Sequence, residues 1–126
     1  MQLTGLIAAP HTPFNSDFSL NLDCVPKQAA HLVATGVKGA FVGGTTGETQ
    51  SLATAERAAL FHAWGEAAKE SGITFIAHIG HNSLPDAQAL AEAAKAAGAE
   101  AIGAMAPTFF KPADAGDMID WFVRIS

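Results

Sequence analysis

Between residues 43 and 48 the chain reads Gly43-Gly44-Thr45-Thr46-Gly47-Glu48. The two glycines let backbone come close to a ligand. Two hydroxyls and successive N–H groups follow in a tight turn, which makes an anion cradle. The segment lacks the Gly-Lys-Ser/Thr end of a phosphate loop and the spacing of a dinucleotide fingerprint, so a small carboxylate suits it better than a nucleotide phosphate. On these letters alone, a Gly-rich turn whose threonines cap backbone groups remains the plainer alternative.

Other residue types that carry chemistry have plainer readings. His78 and His81 have the spacing of an HxxH metal pair, but a strand points positions three apart to opposite faces, and no cysteine or carboxylate cluster lies nearby. Core or loop histidines, and no metal, are expected. Lys111 follows Phe109 and Phe110 in a loop and reads as a solvated charge. Trp64 and Trp121 fall on helical faces as core or interface anchors. Glu56 and Arg57 open a helix, where a structural role suffices; of the possible N-caps Ala53 and Thr54, only Thr54 has a useful side-chain oxygen.

Four short apolar runs must position these groups: Leu3 to Ala9, Gly39 to Gly44, Thr74 to Gly80 and Ala101 to Ala106. Each is too short for a helix and reads as a strand. Helical spacing links Val25, Ala29, Leu32 and Val33, then Leu60, Phe61, Trp64, Ala67 and Ala68, then Ala87, Leu90, Ala91 and Ala94, then Met118, Ile119, Phe122 and Ile125. Gly36, Gly72 and Gly98 each stand between a helical pattern and the next strand, where a left-handed C-cap is cheapest for glycine. The βα unit thus repeats four times, faintly echoed in the letters of 93–103 and 31–41.

Such units build either an open doubly wound sheet or a closed barrel, and periodicity does not choose between them. An eight-unit barrel takes roughly 250 residues, and four units in 126 residues are close to half of one. The chain also stops inside its fourth helical pattern without a closing glycine, as a cut chain would. In either architecture the chemistry belongs in the loops after the strand C-termini, here beginning at His11, Thr45, His81 and Pro107.

Composition narrows the partners. Residues are 49% hydrophobic and 15% charged, with a net charge of −5 and no basic run, which leaves no electrostatic footprint for nucleic acid or acidic lipid. A mean hydropathy of +0.22 suits buried strands, or a piece of a larger body. The single Cys24, read as a buried or bystander thiol in the first helix, forms no internal disulfide and suggests a reducing compartment. No run approaches the ~18 apolar residues of a membrane span and no leader pattern opens the chain, so a cytoplasmic location is expected.

Gly5-Leu6-Ile7-Ala8-Ala9 with Thr12-Pro13-Phe14, then Phe41 to Glu48, then Ser51-Leu52 with Glu56-Arg57 resemble the N-terminal signatures of the dihydrodipicolinate synthase and N-acetylneuraminate lyase superfamily. The resemblance runs from Leu3 to the C-terminus. It implies an α/β fold, the first four βα units of a (β/α)8 TIM barrel, with residues 1–126 as the N-terminal half of one domain. It also implies a pyruvate-dependent aldolase that works through a lysine Schiff base with no cofactor. The turn hydroxyls Thr45 and Thr46, with Gly44, would hold the pyruvate carboxylate, and Ala9 would line the pocket.

The family's Schiff-base lysine stands on the sixth strand and its tyrosine after the fifth. Neither strand is in this sequence, which contains no tyrosine, so the chain supplies no catalytic residue and is expected to be inactive alone. Synthases of the family usually carry two tyrosines after the proline of the fourth loop, whereas Thr108 and Phe109 stand here. Phenylalanine relays no proton. Met105 to Pro112 and Ile76 to Gly80 are closer to the animal-type lyase branch, which cleaves N-acetylneuraminate to pyruvate and N-acetylmannosamine. A synthase, another keto-deoxy sugar acid aldolase, and a non-catalytic half-barrel module remain alternatives. The resemblance implies a small-molecule substrate and a homotetramer.

Overall fold

The computed structural model describes residues 3–126. Its strands are β1 (Ile7–Ala8), β2 (Gly39–Val42), β3 (Thr74–His78) and β4 (Ala101–Gly103). They alternate with α1 (Val25–Ala34), α2 (Thr54–Ser71), α3 (Leu84–Ala96) and α4 (Ala115–Ile125). All four strands are parallel in the order β1-β2-β3-β4. That order separates the two architectures the sequence left open. A doubly wound sheet reverses its strand order to place helices on both faces, whereas sequential order with right-handed crossovers puts every helix on one face. The fold is α/β, four consecutive βα units of the kind that line a (β/α)8 barrel.

Register fixes which side chains meet the helices. Ala40 and Val42 of β2 lie level with Phe75 and Ala77 of β3, and all four are essentially inaccessible to solvent. With Ile79 they form the sheet's side of the core; Leu60, Phe61 and Trp64 of α2 and Ala87, Leu90 and Ala94 of α3 form the other side. α2 and α3 pack closely because Gly65 faces Ala97 at the end of α3: a Cβ on Gly65 would collide with the Ala97 carbonyl oxygen.

The strands are shorter than the apolar runs, because the ends of each run leave the ladder for loops. Gly36, Gly72 and Gly98 adopt φ of 86°, 72° and 81°, the left-handed geometry expected after α1, α2 and α3. Three local expectations change. Cys24 lies half-buried in a 3-10 turn, Leu22–Cys24, ahead of α1. The N-cap of α2 is Ala53, not Thr54; the Glu56 carboxylate reaches back to accept from the Ala53 N–H at 2.8 Å, and the Thr54 hydroxyl turns to Asp86. In α4 the buried side is Trp121, Phe122 and Ile125, while Met118 and Ile119 are exposed.

Candidate functional site

The C-terminal ends of the four strands carry the loops that begin at Ala9, Gly43, Ile79 and Ala104. The chain leaves β2 through Gly43 at φ 70°, a left-handed conformation that glycine adopts without a Cβ penalty. Gly44 is held by sterics instead. The Phe41 ring lies on the sheet face opposite the helices, and a Cβ on Gly44 or Gly103 would come within 2.7 Å or 2.5 Å of it. Phe41 therefore sits between two glycines, with the His78 ring meeting its edge at 5.7 Å and 72°.

The turn closes on itself and on the first loop. The Glu48 N–H donates to the Thr45 carbonyl (3.0 Å) and the Thr49 N–H to the Gly44 carbonyl (3.2 Å). Thr12, buried in the first loop, donates its hydroxyl to the Gly47 carbonyl at 2.6 Å across 35 residues of sequence. A Cβ on Gly47 would lie 3.1 Å from the backbone of Gly43, so the loop's two ends are in contact. Glu48 completes the turn at φ 57°, a left-handed geometry costing a non-glycine residue about 1–2 kcal/mol. Thr45 and Thr46 are exposed, and their hydroxyls bond to no other described residue. Gly44 is buried beneath them, and Ala9 is exposed one residue beyond β1.

Against the end of β3 lies a group that sequence reasoning left as structural. Arg57 of α2 is 1% exposed. Its guanidinium donates to the Gly80 carbonyl at 3.0 Å and the His78 carbonyl at 2.5 Å, clamping the chain where it leaves β3. Among the described residues it has no carboxylate partner, and its Nε is unbonded. Burial pushes its pKa down to about 10, which leaves it charged at neutral pH. The signal was present in the helix period: Arg57 stands three, four and seven residues before Leu60, Phe61 and Trp64, on the buried stripe.

His78 is buried with its Nδ1 3.5 Å from Arg57. Guanidinium has no acceptor, so Nδ1 presents its lone pair and any ring proton sits on Nε2. Burial, and next the Arg57 charge, lower the His78 pKa, opposed by a hydrogen bond to the Gly43 backbone. His81 is separate. Its Nδ1 accepts from the Ser83 N–H at 3.0 Å, so the 3.7 Å approach of Asp86 is not an ion pair while that bond stands. The two histidines thus face different partners, and no cluster able to hold a metal occurs among the described residues.

The fourth loop is tied to the third by Asn82, whose Oδ1 accepts from the Thr108 N–H at 2.8 Å and the Phe109 N–H at 3.2 Å. Phe109 and Phe110 stack edge to face in solvent at 79% and 84% exposure. Lys111 is exposed beside them, as expected of a solvated charge. Trp64 is a core anchor, and Trp121 is half-buried with an unbonded Nε1. No helix among the described residues is long and apolar enough to cross a membrane.

The profile of the Dihydrodipicolinate synthetase family matches residues 2–126. The chain belongs to this family. Among its relatives, the N-acetylneuraminate lyase of Danio rerio is 38% identical over 124 residues, covering 98% of this chain and 40% of the relative. The native N-acetylneuraminate lyase of Aliivibrio salmonicida superposes with a TM-score of 0.93 at 39% identity, covering 99% of this chain and 41% of that one. A dihydrodipicolinate synthase from Bacillus anthracis superposes with a TM-score of 0.89 at 29% identity, covering 99% and 42%. This family member therefore spans about 40% of the length of the relatives it matches.

Proposed function

We propose that this chain is the pyruvate-binding N-terminal half of a barrel aldolase that cleaves N-acetylneuraminate reversibly to pyruvate and N-acetylmannosamine. The observation that carries this reading is the turn after β2: two exposed, unengaged hydroxyls at Thr45 and Thr46, on a loop braced by Thr12 and underlain by glycine. Hydroxyl and N–H donors converging on an open position suit a carboxylate. Gly44 lets the backbone approach, and Ala9 stands at the end of the neighbouring strand as a small wall.

Holding the carboxylate presents the C2 ketone to a lysine amine in the remainder of the barrel. The amine condenses with C2, releasing water and forming an iminium. As the C4 hydroxyl gives its proton to a base, the C3–C4 bond breaks and its electron pair moves into the iminium, leaving an enamine and releasing the aldehyde. Protonation at C3 and hydrolysis then return pyruvate and the free lysine. No metal or organic cofactor is needed. Lys27, Lys38, Lys69 and Lys95 are exposed on helices or connections, and only Lys111 lies in a loop beyond a strand C-terminus, also exposed. The 126-residue chain by itself is thus proposed to be inactive.

Two observations favour the lyase over the synthase. The lyases of Danio rerio and Aliivibrio salmonicida are 38% and 39% identical, against 29% for the Bacillus anthracis synthase. The fourth loop also presents Phe109 where a proton relay would require a hydroxyl. We further propose that the full-length protein is cytoplasmic and acts on small-molecule keto acids, and that it is a homotetramer, the last by its resemblance to the family. The test is the intact mass of the full-length protein after borohydride treatment with pyruvate. One reduced pyruvate adduct per chain is expected, with none on residues 1–126 alone; a full-length protein that gains no adduct overturns the aldolase reading.

A further inference from the structure

We infer that Arg57 is a positioning residue for the carboxylate turn, a buried cation that biases the site toward anionic keto acids. This rests on the carboxylate reading of Thr45 and Thr46 and adds the source of its charge preference. Thr45 and Thr46 are neutral, and no Lys or Arg occurs within the turn. Hydroxyls and N–H groups favour a carboxylate over a neutral carbonyl through charge-assisted hydrogen bonds, but they bring no net positive charge to the turn.

Arg57 supplies what is missing. It is 1% exposed, has no carboxylate partner among the described residues, and spends two N–H groups on the neutral carbonyls of His78 and Gly80. Buried cations are ordinarily paired; this one keeps a full uncompensated charge in a region that screens poorly. It faces Nδ1 of His78, and His78 lies beside Gly43 at the base of the turn, where a Cβ on Gly43 would stand 4.0 Å from the His78 carbonyl oxygen. One imidazole therefore separates the guanidinium from the chain that carries Thr45 and Thr46.

The same contacts set geometry. The clamp on the His78 and Gly80 carbonyls fixes where β3 ends, and His78 packs on the edge of Phe41, whose ring confines Gly44. Arg57 touches no reacting atom in this scheme and acts through His78 and the turn.

The experiment uses the full-length protein as wild type, Arg57→Lys, Arg57→Gln and Arg57→Met. Half-saturating concentrations are measured for borohydride trapping of pyruvate and of its neutral methyl ester, with kcat and KM for N-acetylneuraminate cleavage. Arg57→Met is expected to weaken pyruvate about tenfold while the ester changes less than about twofold, with KM rising more than kcat falls. Arg57→Lys, keeping the charge, should retain most of the preference for acid over ester. Arg57→Gln keeps hydrogen-bond donors without charge and reads the same ratio should the methionine variant not fold. An unchanged acid-to-ester ratio in the uncharged variants, whatever their melting temperatures, reduces Arg57 to a structural clamp and overturns the inference. Wild-type protein that traps neither compound overturns the aldolase reading and this inference with it. Trapping both equally well leaves the Schiff base standing and removes the charge preference.

Discussion

The two middle strands and the two edge strands differ sharply, although all four belong to the same repeating unit. β2 and β3 keep Ala40, Val42, Phe75 and Ala77 at 0–1% exposure, because a strand lies on either side and α2 and α3 cover the face. β1 and β4 are two and three residues long and leave Ile7 at 43% and Ile102 at 45%. A βα unit does not bury its own apolar surface; its neighbours do. The turn after β2 hangs from the middle pair, next to Phe41 and His78. The exposed Phe109-Phe110 loop hangs from an edge strand and is held mainly by Asn82.

The largest test of that contrast removes side chains from each region. Phe75→Ala in β3 should cost about 3–5 kcal/mol, whereas Ile102→Ala in β4 should cost under about 1 kcal/mol, because half of Ile102 is already in water. Urea denaturation of the 126-residue chain measures both, and similar costs would show that the edge is as well packed as the centre.

Within the turn, Thr45→Val with Thr46→Val should weaken pyruvate trapping in the full-length protein about 100-fold, as expected for losing two hydrogen bonds to an anion. Stability should hardly move, since both side chains are exposed. Thr12→Val is the converse. It strands the buried Gly47 carbonyl and should destabilise the fold by about 1–2 kcal/mol, read as a lower denaturation midpoint, while raising KM more than it lowers kcat.

The smallest effect is a pH dependence. The folded pKa of His78 lies below its ordinary value near 6.5, so the folded state holds fewer protons there than the unfolded chain does. Its contribution to stability is therefore complete above about pH 6.5 and is lost as pH falls through the folded pKa. In an NMR titration, the His78 ring should stay neutral below pH 6.5. Titration at or above 6.5 would mean that the middle of the sheet is wetter than its burial suggests.

Much of this contrast was legible in the letters. The alternation of apolar runs with helical spacing located all four strands and all four helices, and Gly36, Gly72 and Gly98 marked where three helices stop. These are local matters: a hydrophobic period and a left-handed backbone are written into neighbouring residues. The turn was also legible, because the glycines and hydroxyls that shape it are contiguous.

What could not be read is what depends on residues far apart in the chain. Periodicity left sheet and barrel equally open until the parallel order β1-β2-β3-β4 put all helices on one face. The Thr54 cap failed because Glu56 reached Ala53 first and Asp86, 32 residues away, offered Thr54 a partner. Arg57 looked like a helix-start charge because nothing beside it in sequence shows that its guanidinium ends under two carbonyls of the next strand. Local periodicity decided which segments became strands, helices and turn. Burial and long-range hydrogen bonds, which exist only once the units pack together, decided that an unpaired cation stands against the end of β3 and that Thr12 holds the turn closed.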